Sequence, residues 1–210
     1  MINKTLLTVI IPTYNRVKEL KISIPTFIKN KRSDLKFLIL DDHSTDGTAE
    51  FINECSLEDK RIELIKNDKN LHINLNTYKG FNLVKSPYAM WLSDDDILIG
   101  DYINDCIDIF ENNPNVSLVH NKVNKVSENF DTVDYQIYQK GWEAIKNIFN
   151  QGSSFPGLTY RMKNFDLSKY PLGKEKIYPL IKMNLLIAQN FDVAILKSSG
   201  LKTIEGDLKK

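Results

Sequence analysis

Leu6-Leu7-Thr8-Val9-Ile10-Ile11-Pro12-Thr13-Tyr14-Asn15-Arg16 begins as a continuous apolar, β-branched run and ends in a polar cluster. Such a run reads as a strand buried on both faces. Pro12 closes it, and Val17, Leu20, Ile24, Phe27 and Ile28 then fall on one helical face, with Pro25 expected to kink or shorten that helix. The same sentence structure repeats. Leu35-Lys36-Phe37-Leu38-Ile39-Leu40 is a second strand ending in Asp41-Asp42, and Ser44-Thr45-Asp46-Gly47 supplies N-cap chemistry for a helix through Cys55. Arg61 to Ile65 reads as a third strand, Asn74 to Lys85 as a helix, and Tyr88-Ala89-Met90-Trp91-Leu92 as a fourth strand ending in Ser93-Asp94-Asp95-Asp96. Strands that alternate with helices imply parallel βαβ units with right-handed crossovers, hence an α/β fold around a mostly parallel, Rossmann-like sheet flanked by helices. In such sheets ligands bind beyond the carboxyl ends of the strands. Three of those ends carry polar clusters here.

The second half is less regular. Tyr102, Ile103, Cys106 and Phe110 mark a helix stopped by Asn112-Asn113-Pro114. Val116 to His120 is a strand, and Trp142, Ile145, Ile148 and Phe149 mark another helix. A Gly/Ser/Pro-rich stretch runs from Gln151 to Gly157, and Leu180, Ile181, Leu185 and Ala188 form a last helix with Pro179 near its first position. No internal repeat or linker composition divides the chain, so one domain is expected.

Bulk composition narrows the partners. The 210 residues carry 28 Lys plus Arg against 27 Asp plus Glu, a formal charge of +1. Nucleic-acid binders present a basic stripe to the phosphates, and no Lys/Arg run here exceeds two residues, so nucleic acid is not an expected partner. The two cysteines, Cys55 and Cys106, show no metal-binding spacing and build no disulfide framework; they read as reduced core thiols. The apolar start is too short for a signal sequence, and Ile177 to Ala188 is too short and too interrupted to span a bilayer. A cytoplasmic protein is expected.

Each cluster has a chemical and a structural reading. Three adjacent carboxylates repel one another unless a cation or hydrogen-bond donors compensate. Asp94-Asp95-Asp96 therefore reads either as a Mg²⁺ or Mn²⁺ site holding a diphosphate or as a solvated acidic turn capping the helix near Gly100 or Asp101. An acidic residue at the end of the second strand can accept from a base N–H or a ribose hydroxyl, or simply cap a turn. Tyr14 can stack on a base or pack. No GxGxxG, Walker A, HExxH or GxSxG pattern is present.

Taken in order, Thr8-Val9-Ile10-Ile11-Pro12-Thr13-Tyr14-Asn15-Arg16, Leu40-Asp41-Asp42-His43-Ser44-Thr45-Asp46-Gly47-Thr48 and Trp91-Leu92-Ser93-Asp94-Asp95-Asp96-Ile97-Leu98 resemble the family 2 glycosyltransferases of the GT-A fold. The resemblance covers roughly residues 5 to 120. It implies a single catalytic domain over 1–210, with a nucleotide-sugar half at about 1–98 and an acceptor half at about 99–210 that could be cut short. It implies an inverting, metal-dependent transfer from a nucleoside-diphosphate sugar, with a UDP-sugar favoured, to a saccharide or lipid-linked acceptor, as in cell-surface polysaccharide synthesis. Attachment to the inner face of the cell membrane is compatible with such an acceptor.

Position by position, the resemblance places Pro12, Thr13 and Tyr14 in the nucleoside pocket, Asp41 on the base, Asp94 near the ribose and Asp95 as main ligand of Mg²⁺ or Mn²⁺, with Asp96 beside it. Ser93 departs from the family's Asp-x-Asp by removing the first carboxylate. His72 stands where relatives place a basic nucleotide contact, and it replaces the Gly of an Asn-x-Gly. The general base is expected at Glu175, before the last helix, with Asp192 and Glu205 as further candidates. Three other readings compete, one of them a receiver-type phosphoacceptor domain with Asp41-Asp42 as its acidic pair, which explains neither Tyr14 nor Asp94 to Asp96. A catalytically silent module would keep the donor site and lack a base. A haloacid-dehalogenase-like phosphatase would use Asp94-Asp95-Asp96 with Asp207, but its nucleophile should follow the first core strand rather than the fourth.

Overall fold

The structure is a computed structural model that describes residues 4–121, 134–150, 157–171, 179–197 and 200–204. An eight-stranded sheet forms its centre, in the order β3-β2-β1-β4-β8-β6-β9-β7. Its strands are β1 (Leu7–Thr13), β2 (Leu35–Asp41), β3 (Ile62–Lys66), β4 (Tyr88–Trp91), β6 (Val116–His120), β7 (Tyr135–Tyr138), β8 (Leu158–Arg161) and β9 (Asp192–Leu196). β1 pairs in parallel with β2 and β4, β2 with β3, and β6 with β9. β8 is antiparallel to both β4 and β6, and β7 is antiparallel to β9. A second, two-stranded sheet joins β5 (Asp96–Leu98) to β10 (Leu201–Thr203).

The expected strands buried on both faces are present. Leu7, Val9 and Ile11 of β1 face one core with Phe37 and Ile39 of β2, while Ile10, Leu38 and Leu40 face the other. Helices α1 (Val17–Phe27), α2 (Thr48–Glu58) and α4 (Tyr102–Asn112) supply the first core; α3 (His72–Leu83), α5 (Trp142–Asn150) and α6 (Pro179–Asn190) supply the second. α3 lies so close to β1 that a Cβ on Gly80 would come within 2.5 Å of Ile10 Cγ2. Among the described residues no helix is long and apolar enough to cross a membrane.

The differences from expectation have local causes. Pro25 lies inside α1 without breaking it, and the helix ends two residues later. α2 runs three residues past Cys55. Its N-cap is Gly47 at φ +91°, and the carboxylate of Asp46 accepts from the N–H of Thr48 (3.1 Å) and of Val17 (3.1 Å), tying the start of α2 to the start of α1. Five strands were not anticipated: β5, β7, β8, β9 and β10. β8 is the most consequential, because Leu158, Thr159 and Tyr160 are all fully buried in the middle of the sheet.

Candidate active site

The carboxyl ends of β1, β2 and β4 converge on a cleft of about 340 Å³. β1 leads into its floor with Pro12, Thr13 and Tyr14, and the turn before α1 adds Arg16. β2 leads to Asp42, β4 supplies Trp91 and then Ser93 and Asp94, and the first two turns of α3 contribute Ile73 and Asn76. Among the described residues three non-glycine residues lie in the left-handed region, Asn15 (φ +53°) and His43 (φ +67°) in loops on this edge and His72 (φ +61°) at the start of α3. Asn and His tolerate that region better than most side chains, and such backbone strain concentrates at functional sites.

Pro12, Thr13, Tyr14 and Asp94 all line this cleft. The Thr13 hydroxyl donates to Asp94 Oδ2 at 2.8 Å, and the Ser23 hydroxyl of α1 donates to the Asp94 carbonyl at 2.9 Å. Burial pushes the Asp94 carboxyl up to about 6, against the pull of the Thr13 hydrogen bond and of Arg16. Tyr14 is 47% exposed, so its ring is free to take a stacking partner.

Two assignments need correction. Asp41 is the last residue of β2, fully buried, and its carboxylate turns onto the Ser44 N–H (3.3 Å to each oxygen). Asp42, one residue further along, lines the cleft instead. Its Oδ1 accepts from Asn67 Nδ2 and from the Leu71 N–H, both at 2.8 Å. Asp96 is not available to an ion either. It is 0% exposed; Oδ2 accepts from the Ser93 N–H at 2.9 Å, and Oδ1 meets the Thr203 hydroxyl at 3.4 Å. Burial, followed by the neighbouring carboxylates, holds it up at about 7. Asp96 closes the acidic turn and starts β5.

Asp95 is partly exposed, and its Oδ1 accepts from the Ser93 hydroxyl at 2.6 Å. The serine at the first position of the family's acidic motif therefore orients Asp95. His72 is exposed at the start of α3, beside the cleft but not on its wall; its N–H donates to Asn70 Oδ1 at 2.8 Å. Its left-handed backbone accounts for the glycine found there in the resembling family. Glu175 and Glu205 lie outside the described residues, as does Asp207. Asp192 opens β9 at the opposite, amino edge of the sheet, where its Oδ1 accepts from the Lys140 N–H at 3.0 Å. That placement removes it from the candidates for a base at this cleft.

Arg16, Asp42, Ile73 and Asn76 are cleft residues that the sequence reading did not assign. Arg16 was visible within the first motif. Its guanidinium meets Glu19 at 2.7 Å, and its pKa is raised first by that hydrogen bond and further by the charges of Asp94 and Asp95. Among the described residues no three His, Cys, Asp or Glu side chains are gathered to hold a metal. Hard divalent ions often take only one or two protein carboxylates and complete their shell with substrate phosphates. Asp95, with Oδ1 on Ser93, and Asp94, with Oδ2 on Thr13, each keep a carboxylate oxygen for that arrangement, so the residues fit a shared ion rather than an all-protein cage.

The fold has close counterparts. The structure of residues 1–349 of TarS from S. aureus superposes with a TM-score of 0.73 at 16% identity, over 92% of this chain and 59% of that one. A mannosyltransferase from Pyrobaculum calidifontis, in complex with GDP-Man and Mn²⁺, superposes with a TM-score of 0.66 at 10% identity over 97% of this chain and 58% of the other. An uncharacterised glycosyltransferase of Methanocaldococcus jannaschii is 32% identical over 150 residues, 70% of this chain and 52% of its own length. A GalNAc(5)-diNAcBac-PP-undecaprenol β-1,3-glucosyltransferase of Campylobacter jejuni is 30% identical over 94 residues, 44% of this chain and 30% of its own. The chain thus spans about half the length, or less, of these curated relatives. The family model for glycosyl transferase family 2 matches residues 8–170, and with the GT-A architecture and the strand-end cleft this establishes the chain as a member of that family.

Proposed function

We propose that the chain is the donor-binding and catalytic part of an inverting glycosyltransferase that moves a sugar from a nucleoside-diphosphate sugar, UDP-linked in the first instance, to a hydroxyl of a saccharide or lipid-linked acceptor in cell-surface polysaccharide synthesis. The observation that carries this reading is the meeting of Tyr14, Asp42, Asp94 and Arg16 on one cleft. These groups match the parts of such a donor in order: a ring to stack on the base, a carboxylate to accept its N–H, a hydroxyl partner for the ribose, and a cation for the diphosphate. TarS has been solved in complex with UDP-GlcNAc, and the C. jejuni relative is named for a lipid-linked acceptor, which supports a UDP-sugar and such an acceptor here.

In this mechanism Asp42 orients the base and Asp94 the ribose, while Arg16 offsets charge on the diphosphate. Asp95, with Asp94, would hold Mg²⁺ or Mn²⁺, which supplies Lewis-acid stabilisation of the departing diphosphate. A carboxylate takes the proton of the attacking hydroxyl, and Glu175 is our candidate. An acceptor anchored in a membrane would call for peripheral attachment of the enzyme. The test is a thermal-shift comparison of UDP-GlcNAc, GDP-mannose and free UDP with and without Mn²⁺, followed by an assay for nucleoside-diphosphate release. Binding raises the apparent stability of the folded chain. No shift with any of the three would reject the reading; a shift without release in the presence of acceptor would reduce it to a silent donor-binding module.

A further inference from the structure

Behind the cleft wall lies a hydrogen-bonded chain of buried polar groups that no cleft contact requires. Asn67, directly after β3, is 3% exposed, and Asn76 of α3 is 1% exposed. Asn67 Nδ2 donates both to Asp42 Oδ1 (2.8 Å) and to Asn76 Oδ1 (2.9 Å). Its Oδ1 accepts from Lys79 Nζ at 2.6 Å, and Asn76 Nδ2 donates to the Leu40 carbonyl at 2.9 Å. The amide cannot be turned over. Lys79 has only donors and the Asp42 carboxylate oxygen accepts, so turning the Asn67 amide over would set donor against donor and acceptor against acceptor. Asn67 is also pinned at its backbone, where its N–H donates to the Asp41 carbonyl at 2.9 Å.

We infer that Asn67 is a positioning residue for donor recognition: with the Leu71 N–H it commits Asp42 Oδ1 completely, so that only Oδ2 faces the cleft, and Lys79 holds the amide in the orientation that does this. The inference rests on the donor reading of the cleft and adds how its base-facing carboxylate is fixed. A carboxylate that offers one oxygen accepts one N–H in its plane. Uracil presents a single imide N–H, whereas guanine presents two adjacent N–H groups that call for both oxygens. UDP is therefore the probe. Asn67 is spent on protein partners and touches no ligand, so its effect must pass through Asp42.

The experiment compares UDP and inorganic diphosphate, each with Mn²⁺, by calorimetry on the whole chain. Inorganic diphosphate engages the phosphate end alone and reports whether the rest of the site is intact. In Asn67→Ala, UDP affinity is expected to fall about tenfold, the lower range for a hydrogen bond to a charged group, while inorganic diphosphate affinity stays within about twofold. Lys79→Met, a milder change on a half-buried side chain, should weaken UDP by roughly threefold with the same sparing of diphosphate, and it serves where Asn67→Ala does not fold. Equal weakening of both probes, or unchanged UDP affinity in a folded variant, overturns the positioning role. A wild-type chain that binds inorganic diphosphate but not UDP overturns the donor reading itself, and the inference with it.

Discussion

Asp96 gives the most direct physical test of how the acidic turn is built. Its folded carboxyl sits at about 7 and that of Asp94 at about 6, against an ordinary value of 3.8, and burial is the first cause in both. A carboxyl raised by folding keeps its proton in the native state after the unfolded chain has released it. Between the two values the native state binds more protons, so stability declines as pH rises, and the decline is complete only above the folded value. Each pH unit in that window is worth about 1.4 kcal/mol. From about pH 5 to about pH 8 the two groups together should remove roughly 4 kcal/mol of unfolding free energy, of which roughly 3 belong to Asp96. Buried His120, whose pKa burial lowers, acts with the opposite sign, since a neutral buried imidazole favours the folded state as pH rises. A difference between two proteins cancels it. Asp96→Asn keeps the shape, an acceptor for the Ser93 N–H and a donor for the Thr203 hydroxyl, and it cannot titrate. Urea unfolding followed by Trp fluorescence in EDTA, at a series of pH values, should show wild type losing about 3 kcal/mol more than Asp96→Asn across that range. Parallel curves for the two proteins would refute the assignment of Asp96 as a buried, largely protonated brace, and would return it to the list of groups able to face a cation.

Asp95→Asn should abolish Mn²⁺-dependent release of UDP from a UDP-sugar while changing the urea midpoint little, because its side chain is held only by the neighbouring Ser93 hydroxyl. Glu175→Gln should leave UDP affinity intact and slow transfer by about 10²–10⁴-fold, the usual scale of general-base catalysis; unchanged transfer would remove Glu175 from the mechanism. Gly80→Ala sets about 1 kcal/mol of helix propensity against a Cβ within 2.5 Å of Ile10 Cγ2 and 3.1 Å of Leu40 Cδ1. Overpacking should win, with a net loss of about 1–2 kcal/mol by urea unfolding.

The parts of the fold legible in the sequence were those whose signal is local. β1, β2 and β4 are buried on both faces apart from Lys36, so their residues are mostly apolar, and their observed ends lie within two residues of the pattern. β6 matches its expected bounds. β5 and β10 are three residues each, and each exists because the other does: Leu98 pairs with Leu201, about a hundred positions away. Nothing in Asp96-Ile97-Leu98 alone marks a strand. β8 fails the local test for another reason. Four residues, Leu158–Arg161, follow a Gly/Ser/Pro-rich stretch, and what makes them a central strand is the gap between β4 and β6 that they fill. α3 was expected at Asn74–Lys85 and is found at His72–Leu83, because its entry is set by the left-handed turn at His72 rather than by a capping side chain.

The site shows the same division at the scale of single residues. The motifs singled out Asp41 rather than its neighbour Asp42, which lines the cleft, and named Asp96 beside Asp95 although only Asp95 is left partly exposed. A pair of adjacent acids at a strand end is chemically uniform in sequence, and which one faces ligand depends on where each carboxylate finds its donors. For Asp42 these are Asn67 and the Leu71 N–H, both from the segment between β3 and α3. For Asp94 it is Thr13, 81 positions earlier, and for Asp96 it is Thr203, 107 positions later, together with the local Ser93 N–H. Repulsion among three adjacent carboxylates, the feature that first marked Ser93-Asp94-Asp95-Asp96 as unusual, is thus relieved by distant partners. Folding raises two of the three toward neutrality and turns one of those two into the β5–β10 brace. What remains to meet a cation is an Asp94 oxygen and an Asp95 oxygen, and a cation that binds them must displace a proton from Asp94 at any pH below about 6. Metal affinity at this cleft should therefore climb through mildly acidic pH and level off above it, a dependence that a solvated acidic turn would not show.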